Sequence, residues 1–410
     1  MTRIPRRHVT LGLAALVGGT PLGGCASPRV ADPVPSVPGV ARETRARTLD
    51  AQALEDALIG STYLGCGGGG GLADARALIA QDLAAGRAFR LLPVAALADE
   101  DRVACPYGLG SLADAPAQAA VVDQPVEAAF RLLQAHLGRP FSAVILGEIG
   151  PLSLAEGLSI AARLGVPALD ADTVGRATPE INQHSVRVAG RPLTPAAAVT
   201  RRGDEIVLRA VADPDRQEAV FRTLATESGV LGVADAPITG AVARDGATLI
   251  QDSFSLAERI GAAVRRARAV GGDPVEAGRA AGGGFRLFEG RVAGAAWADE
   301  DGFLTGTVRL DGAGPDAGRR ASLSVRNEHL VARVDDRVVA TCPDLVTLID
   351  AETGEGIGNP DPAPGQRVVL LGLPCAPVWR TPAGLAVFSP RYFGFDVDYV
   401  PVEERVRGGA

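Results

Sequence analysis

The sequence contains no lysine, so all 41 of its basic side chains are arginines. A Walker-type phosphate loop and a pyridoxal phosphate Schiff base both require a lysine, so we expect neither a nucleotide nor pyridoxal phosphate as cofactor. Aromatic residues are also scarce, at 4% of the 410 residues. The net charge of −7 and the scattered arginines provide no basic surface, and we expect no nucleic-acid partner.

Several catalytic and metal-binding motifs are missing from the sequence. It has no Gly-x-Ser-x-Gly elbow and no His-Glu-x-x-His segment, so a serine hydrolase triad and a zincin are unsupported. Its five cysteines include no Cys-x-x-Cys pair and no zinc spacing. The four cysteines after Cys25 could form two disulfides in an oxidising compartment, but we expect four free, mostly buried thiols.

The first 25 residues have the layout of a signal peptide. Arg6 and Arg7 precede an apolar run from Val9 to Val17, which is too short for a transmembrane helix. The segment from Leu22 to Cys25 resembles a bacterial lipobox, in which Cys25 would be lipidated, and the arginine pair resembles a twin-arginine export signal. We expect a lipid-anchored envelope protein with a proline-rich tether over residues 26–48. The alternative is a misassigned start and a cytoplasmic protein.

The remaining chain predicts a mixed α/β fold in two domains, an α/β layered domain over 49–212 and a second domain over 213–403. In the first domain, helical and strand-like stretches alternate. Ser153 to Glu156 reads as a capping box that opens a helix. Predicted helices cover 51–60, 72–86 and 125–138, and predicted strands cover 143–146, 166–169, 186–188 and 206–208, the first two of them parallel.

The second domain changes character along its length. Helices are predicted from Pro214 to Gly229 and from Ser255 to about Val270. From Phe285 onward, short alternating runs separated by Gly, Asp and Pro indicate antiparallel strands, the last of them at 385–388. This part predicts a β-rich, barrel- or sandwich-like structure.

The most unusual local feature is Cys66 followed by five glycines, Gly67 to Gly71, ahead of a predicted helix. Glycine amides at a helix start suit a carboxylate, a phosphate or a developing oxyanion, and a thiol beside them could be a nucleophile. Equally, the run could be a tight turn with Cys66 as a small buried thiol. As a dinucleotide fingerprint the run is weak, because what precedes it looks helical.

Acidic residues follow two predicted parallel strands. Glu148 comes after the first strand, and Asp170 and Asp172 end the second. The carboxyl ends of such strands are where α/β folds bind ligands, and the two aspartates could share a metal or a proton. Helix capping and turn formation are the alternative roles.

Other polar residues are weaker candidates. Arg176 and Glu180 could bind a polar ring or pair with each other. His184 is a candidate base by residue type alone, and we expect it at the surface. Asn327 and Glu328 follow a strand-like run, where turn chemistry is the default.

Seven segments, taken in order, resemble the S-methyl thiohydantoin desulfurase family, formerly a domain of unknown function, DUF917. The similarity covers about Leu49 to Glu403, nearly all of the chain after the tether. The segments are Leu64-Gly-Cys-Gly-Gly-Gly-Gly70, Gly147-Glu-Ile-Gly150, Val166-Pro-Ala-Leu-Asp-Ala-Asp172, Gly175-Arg-Ala-Thr-Pro-Glu180, Asn327-Glu328, Pro343-Asp-Leu345 and Pro390-Arg-Tyr-Phe-Gly-Phe-Asp396.

The resemblance implies a two-part protein related in context to the hydantoinase A and oxoprolinase group. It implies activity on S-methyl thiohydantoin or similar cyclic ureides, with loss of the sulfur substituent. This chain departs from the family pattern in two ways. Members usually have Gly-Gly-x-Asn after the Glu-Ile pair, where this chain has Gly150-Pro-Leu-Ser153, so a polar contact is lost or shifted to Ser153. Members are also typically cytosolic.

These observations lead to a hypothesis for the site. Either the Cys66 thiolate or a water activated by Asp170 or Asp172 adds to the ring carbon that bears sulfur. The other groups stabilise charge, hold the ring or close the cleft, and they are Gly67, Gly68, Gly69, Gly70, Glu148, Arg176, Glu180, Asn327 and Glu328.

Two rival functions remain open at this stage. One is an envelope-tethered protein that binds a small cyclic amide without a nucleophile. The other is an accessory subunit of a separate hydantoinase-like enzyme. The membrane would be a partner only through the lipid anchor, a homo-oligomer is possible, and the sequence leaves open whether a divalent metal is required.

Overall fold

A computed structural model describes residues 45–111 and 121–408 of the chain. It has the mixed α/β fold predicted from the sequence, with a layered sheet and a curled, half-barrel antiparallel sheet. The predicted signal segment, Cys25 and the tether up to residue 44 lie outside the described residues. None of the helices in the two described ranges has the length and apolar character needed to span a membrane.

The first sheet has nine strands in the order β1-β2-β5-β4-β3-β8-β6-β7, with β9 on β5. Strands β2, β5, β4 and β3 are parallel, and the others are antiparallel. The predicted parallel pairing of the first two strands is therefore confirmed. The strands are β1 (Arg47–Leu49), β2 (Phe89–Leu92), β3 (Arg102–Leu109), β4 (Ala143–Leu146), β5 (Ala168–Asp172), β6 (Ala196–Thr200), β7 (Glu205–Leu208), β8 (Leu231–Thr239) and β9 (Ile250–Gln251).

Helices cover both faces of this sheet, so its central strands are apolar on both sides, as Ala143-Val-Ile-Leu146 illustrates. Phe130, Leu154 and Phe254 belong to the core on one face, and Phe221 packs into the core on the other. The helices are α1 (Ala51–Leu64), α2 (Leu72–Ala84), α3 (Pro125–Leu137), α4 (Pro151–Leu164), α5 (Ser185–Val188), α6 (Pro214–Ser228), α7 (Gly240–Ala243), α8 (Ser253–Ala269), α9 (Pro274–Ala281), α10 (Pro382–Val387) and α11 (Val402–Arg407).

The second sheet has seven antiparallel strands in the order β14-β13-β12-β11-β10-β16-β15. Asn327 lies between two of them with a φ of 54°, so the chain reverses at a single residue that tolerates the left-handed region. The strands are β10 (Phe285–Glu300), β11 (Phe303–Gly312), β12 (Arg320–Arg326), β13 (Glu328–Val334), β14 (Arg337–Thr341), β15 (Leu345–Asp350) and β16 (Arg367–Leu373).

Three local predictions are wrong. The predicted strand at 186–188 is α5, which His184 caps by accepting a hydrogen bond from the Val186 amide. The predicted strand at 385–388 falls in α10, because Thr381 caps a helix there that Pro382 opens. Ser153 does not cap a helix either: α4 begins two residues earlier, at Pro151, and this places Ser153 in its first turn.

The cysteine prediction is confirmed. Cys66, Cys105, Cys342 and Cys375 are all free and buried.

Candidate functional site

A cavity of about 190 Å³ lies at the carboxyl ends of β3, β4 and β5. Residues 107–111, Gly147, Glu148, Thr173 and Val174 line it from the strand ends. Asn327 and Glu328, at the turn between β12 and β13, line it from the second sheet. Residues of both sheets therefore bound the cavity, which lies at the edge where α/β sheets bind ligands.

Glu148 reaches the cavity from the end of β4, and two donors hold its carboxyl group. The Ser153 hydroxyl donates to Oε1 at 2.9 Å, and the Thr178 amide donates to Oε2 at 2.9 Å. Burial nevertheless raises the pKa of Glu148 to about 7. Ser153, five residues after Glu148 in the chain, thus makes a polar contact in the cavity.

Two more glutamates share the cavity. Glu156, one helical turn beyond Ser153 on α4, lines the cavity, and its carboxyl group makes no hydrogen bond or ion pair with any described residue. Burial and repulsion from Glu148 raise its pKa to about 7. Glu328 has a buried Oε2 without a hydrogen-bond partner, and burial followed by repulsion from Glu148 raises its pKa well above the ordinary value. Near neutral pH the three groups therefore include both protonated and ionised carboxyls, as acid–base catalysis requires.

The glycine run contributes to the cavity in part. Gly69 and Gly70 line it, and their amides have no partner among the described residues. The Gly69 carbonyl accepts from the Leu152 and Ser153 amides, so it caps α4. Gly67 and Gly68 are engaged elsewhere: the Gly67 carbonyl accepts from the Asn359 amide, and the Gly68 amide donates to the Gly65 carbonyl. The run is thus both a tight turn and part of the cavity wall.

Cys66 is fully buried and does not line the cavity. Its Sγ donates to the Leu64 carbonyl at 3.5 Å, and burial raises the pKa of the thiol to about 11. At neutral pH it is a protonated thiol, an environment that disfavours a nucleophilic thiolate.

Asp170 and Asp172 hold loops rather than line the cavity. Asp170 accepts from the Ser255 amide and hydroxyl at the start of α8, and burial raises its pKa. Asp172 accepts from the Val174 and Gly175 amides through Oδ2, and burial raises its pKa to about 7. Both aspartates have the structural partners that turn and capping roles supply.

Arg176 and Glu180 do not pair with each other. Arg176 is completely buried outside the cavity, and its guanidinium donates to the carbonyl oxygens of His329 and Asp344. These bonds connect the loop after β5 to the second sheet. Glu180 does line the cavity, and it forms an ion pair with Arg326 at 3.2 Å. The Asn327 side chain accepts from the Leu304 amide and donates to the Gly110 carbonyl, so it fixes the cavity wall.

His184 is buried at 3% exposure and lines the cavity, so its predicted surface position is wrong. Its Nδ1 accepts from the Val186 amide at 3.3 Å, and its Nε2 lies 3.6 Å from Oδ1 of Asp235. The other oxygen of Asp235 accepts from the Tyr107 hydroxyl at 2.6 Å and from Gln217 at 2.7 Å.

Three of these residues were missed by the sequence reasoning: Tyr107, Glu156 and Asp235. For Glu156 a signal existed, because it is three residues from Ser153 and shares a helix face with it. For Asp235 the signal was a single carboxylate inside the aliphatic run of β8. Tyr107 gave no signal, since its strand was not predicted.

Comparison with known proteins identifies the family. The S-Me-THD-like N-terminal domain matches residues 52–210, and the S-Me-THD-like C-terminal domain matches residues 212–402. A search of curated proteins found no match. An X-ray structure of a structural-genomics target from Chromobacterium violaceum has a similar fold, with a TM-score of 0.69 and 23% identity over 87% of this chain and 100% of that chain. On the two domain matches, the chain belongs to the S-Me-THD-like family.

Proposed function

We propose that the protein is a hydrolase of hydantoin-type rings that replaces the methylthio group of an S-methyl thiohydantoin by oxygen, with Glu148 and Glu328 as base and acid. Family membership supports a hydantoin-related enzyme in general. The observation that carries the finer proposal is the set of three glutamates with raised pKa in one small cavity.

The size and polarity of the cavity suit this substrate class. At about 190 Å³ it is smaller than most drug-sized ligand sites, so it favours a single small ring over a nucleotide. A five-membered cyclic ureide presents N–H donors and carbonyl acceptors. The glutamates can accept hydrogen bonds from the ring N–H groups, and the unpaired amides of Gly69 and Gly70 can donate to a ring carbonyl.

The different surroundings of the carboxyls assign their roles. Ser153 and Thr178 donate to Glu148, which favours its ionised form and makes it the base. Glu328 has an unpaired Oε2 and a more strongly raised pKa, so it stays protonated and serves as the acid. Glu156 adds negative charge near Glu148, and its own carboxyl group can contact the substrate ring.

The reaction then balances with water as the only co-reactant. Glu148 takes a proton from water as the oxygen adds to the ring carbon that bears sulfur, and Glu328 protonates the ring nitrogen. The C–S bond breaks with its electron pair on sulfur, which takes the proton held by Glu148 and leaves as methanethiol, while the hydroxyl proton of the adduct returns to Glu328. The carbon keeps oxygen as a carbonyl, so the products are a hydantoin and methanethiol. Because no nucleotide is consumed, the reaction suits the predicted envelope location as well as the cytosol.

The test measures methanethiol release from S-methyl thiohydantoins, with plain hydantoins as the comparison for ring opening. We expect Glu148→Gln and Glu328→Gln each to lower kcat by about 10²-fold or more, since each removes one proton-transfer group. Glu127→Gln is the matched control, because Glu127 is paired with Arg131 and Arg163 outside the cavity. Saturable binding of the ring without any turnover would overturn the enzyme proposal in favour of a binding protein.

A further inference from the structure

Behind the cavity, three buried side chains point their donor atoms at one another. They are Cys105 on β3, Asp235 on β8 and His184 ahead of α5. One ligand atom from each lies within 4.8 Å of those of the other two. Each residue is at least 97% buried, with exposures of 0% for Cys105 and Asp235 and 3% for His184. A thiol, an imidazole and a carboxylate thus meet in a space without solvent.

Two of these atoms have no hydrogen-bond partner within the described residues. Nε2 of His184 and Oδ1 of Asp235 are both buried and unpaired, and the 3.6 Å between them is too long for a hydrogen bond. Unsatisfied buried polar groups destabilise a fold, so two of them aimed at each other point to a ligand that both atoms can bind.

The surrounding structure orients the carboxylate. Oδ2 of Asp235 is occupied by the Tyr107 hydroxyl and the Gln217 amide, and this leaves Oδ1 as the one free acceptor, directed at His184. Such outer hydrogen bonds commonly fix metal-ligating carboxylates.

The backbone of the sheet brings two of the side chains together. Cys105 and Asp235 are direct cross-strand partners, and the register of the pair shifts between Val103 and Cys105. The next residue of β8, Ala236, has a φ of 47°, and its amide leaves the ladder to bond the Leu193 carbonyl. This local bulge is the kind that re-aims side chains beside functional sites.

We propose that Cys105, His184 and Asp235 bind one divalent metal ion of the zinc type at the floor of the cavity. A sulfur, a nitrogen and an oxygen ligand suit zinc, with metal–ligand distances of about 2.0–2.3 Å that require only small shifts from the present spacing. Asp172 and Glu148 add negative charge near Cys105, which favours a cation. His184 and Tyr107 line the cavity, so a metal ion held by His184 would lie beside the place where a substrate would bind.

Metal binding releases one proton and moves another. The Cys105 thiol proton is released, since the thiolate is the ligand. Nε2 of His184 must present its lone pair, so the ring proton moves to Nδ1, and the long 3.3 Å contact with the Val186 amide is given up.

The experiment uses the full chain, free of added histidines, treated with chelator and titrated with Co²⁺ and separately with Zn²⁺. We expect one equivalent of either ion, and for Co²⁺ a thiolate-to-metal charge-transfer band together with the intense visible absorption of tetrahedral sites. No substrate is needed, so failure of the proposed hydrolysis would leave this result unaffected.

Variants assign the ligands. Cys105→Ser should abolish the charge-transfer band, and His184→Gln and Asp235→Asn should each weaken Co²⁺ binding by at least tenfold. Cys342→Ser is the matched control, because Cys342 is an equally buried free thiol outside the cavity, and it should keep the band. Should Cys105→Ser fold poorly, the spectra of Cys105→Ala and of the wild-type protein decide whether Cys105 is a ligand. A wild-type protein that shows no thiolate band with Co²⁺, or a band that survives in a folded Cys105 variant, would overturn the proposal.

Discussion

The carboxyl group of Glu328 packs directly against the α carbon of Gly68. A β carbon at position 68 would lie 1.9 Å from Oε1 of Glu328, far inside van der Waals contact. The glycine run after α1 therefore leaves room for the carboxyl group of Glu328, which lies on the second sheet. This contact explains why a residue without a side chain is needed at 68, apart from any amide it offers.

Gly68→Ala should accordingly displace Glu328 from the cavity. We expect methanethiol release to fall by at least tenfold, with a free energy of unfolding lowered by about 1–3 kcal/mol through overpacking. Gly272→Ala is the control, because its β carbon would meet neighbours only at 3.5 Å and beyond. Measured kcat and urea unfolding curves check both variants. Full activity in Gly68→Ala would argue that Glu328 is not the acid.

Cys66→Ala should leave turnover within about twofold of wild type. The thiol is buried, protonated and outside the cavity, so its loss should cost stability, about 1–2 kcal/mol, rather than chemistry. Cys342→Ala, at another buried free thiol, should behave in the same way.

Steady-state kinetics and thermal melts decide between this outcome and the original nucleophile hypothesis. A folded Cys66→Ala protein with activity reduced by 10²-fold, beside a normal Cys342→Ala protein, would restore Cys66 as nucleophile.

The contrast between Cys66 and Glu328 shows what the sequence could predict. Residue order sufficed for the mixed α/β fold, for the parallel pairing of the first two predicted strands and for the position of Glu148 at a strand end. Burial of Cys66 and exposure of Glu156 to a cavity depend on packing between segments distant in the chain. The position of Asp235 opposite Cys105 could not be predicted, because β3 and β8 lack clear alternation and were not recognised as strands.

The raised pKa of Glu156 makes stability depend on pH. The folded protein keeps this proton up to about pH 7, whereas the unfolded chain releases it near its ordinary pKa of 4.5. Stability contributed by the protonated group is thus fully present below pH 4.5 and is lost as the pH rises through 7. Glu156→Gln does not titrate, so it should gain about 3 kcal/mol relative to wild type across this window, at about 1.4 kcal/mol for each pKa unit of the shift.

Urea unfolding at a series of pH values measures this difference. Glu276→Gln is the control. Its stability difference from wild type should depend on pH with the opposite sign, because the hydrogen bond from Arg279 lowers the pKa of Glu276. A wild-type to Glu156→Gln difference that stays constant with pH would contradict the assigned shift.

Ser153→Ala should move the activity profile of the enzyme to higher pH. The Ser153 hydroxyl stabilises the ionised form of Glu148, and without it the pKa of Glu148 rises further above 7. The limb of the pH–rate profile that reports ionisation of the base should shift upward by about one to two units, since a lost hydrogen bond to a charged group is worth about 1.5–3 kcal/mol. Ser153→Thr retains a hydroxyl and should restore the wild-type profile. Ser142→Ala, which removes a similar serine–carboxylate bond to Asp101 outside the cavity, should leave the limb in place. If Ser153→Ala lowered kcat equally at every pH, Ser153 would be positioning the substrate rather than tuning Glu148, and the base would have to be another of the cavity carboxyls.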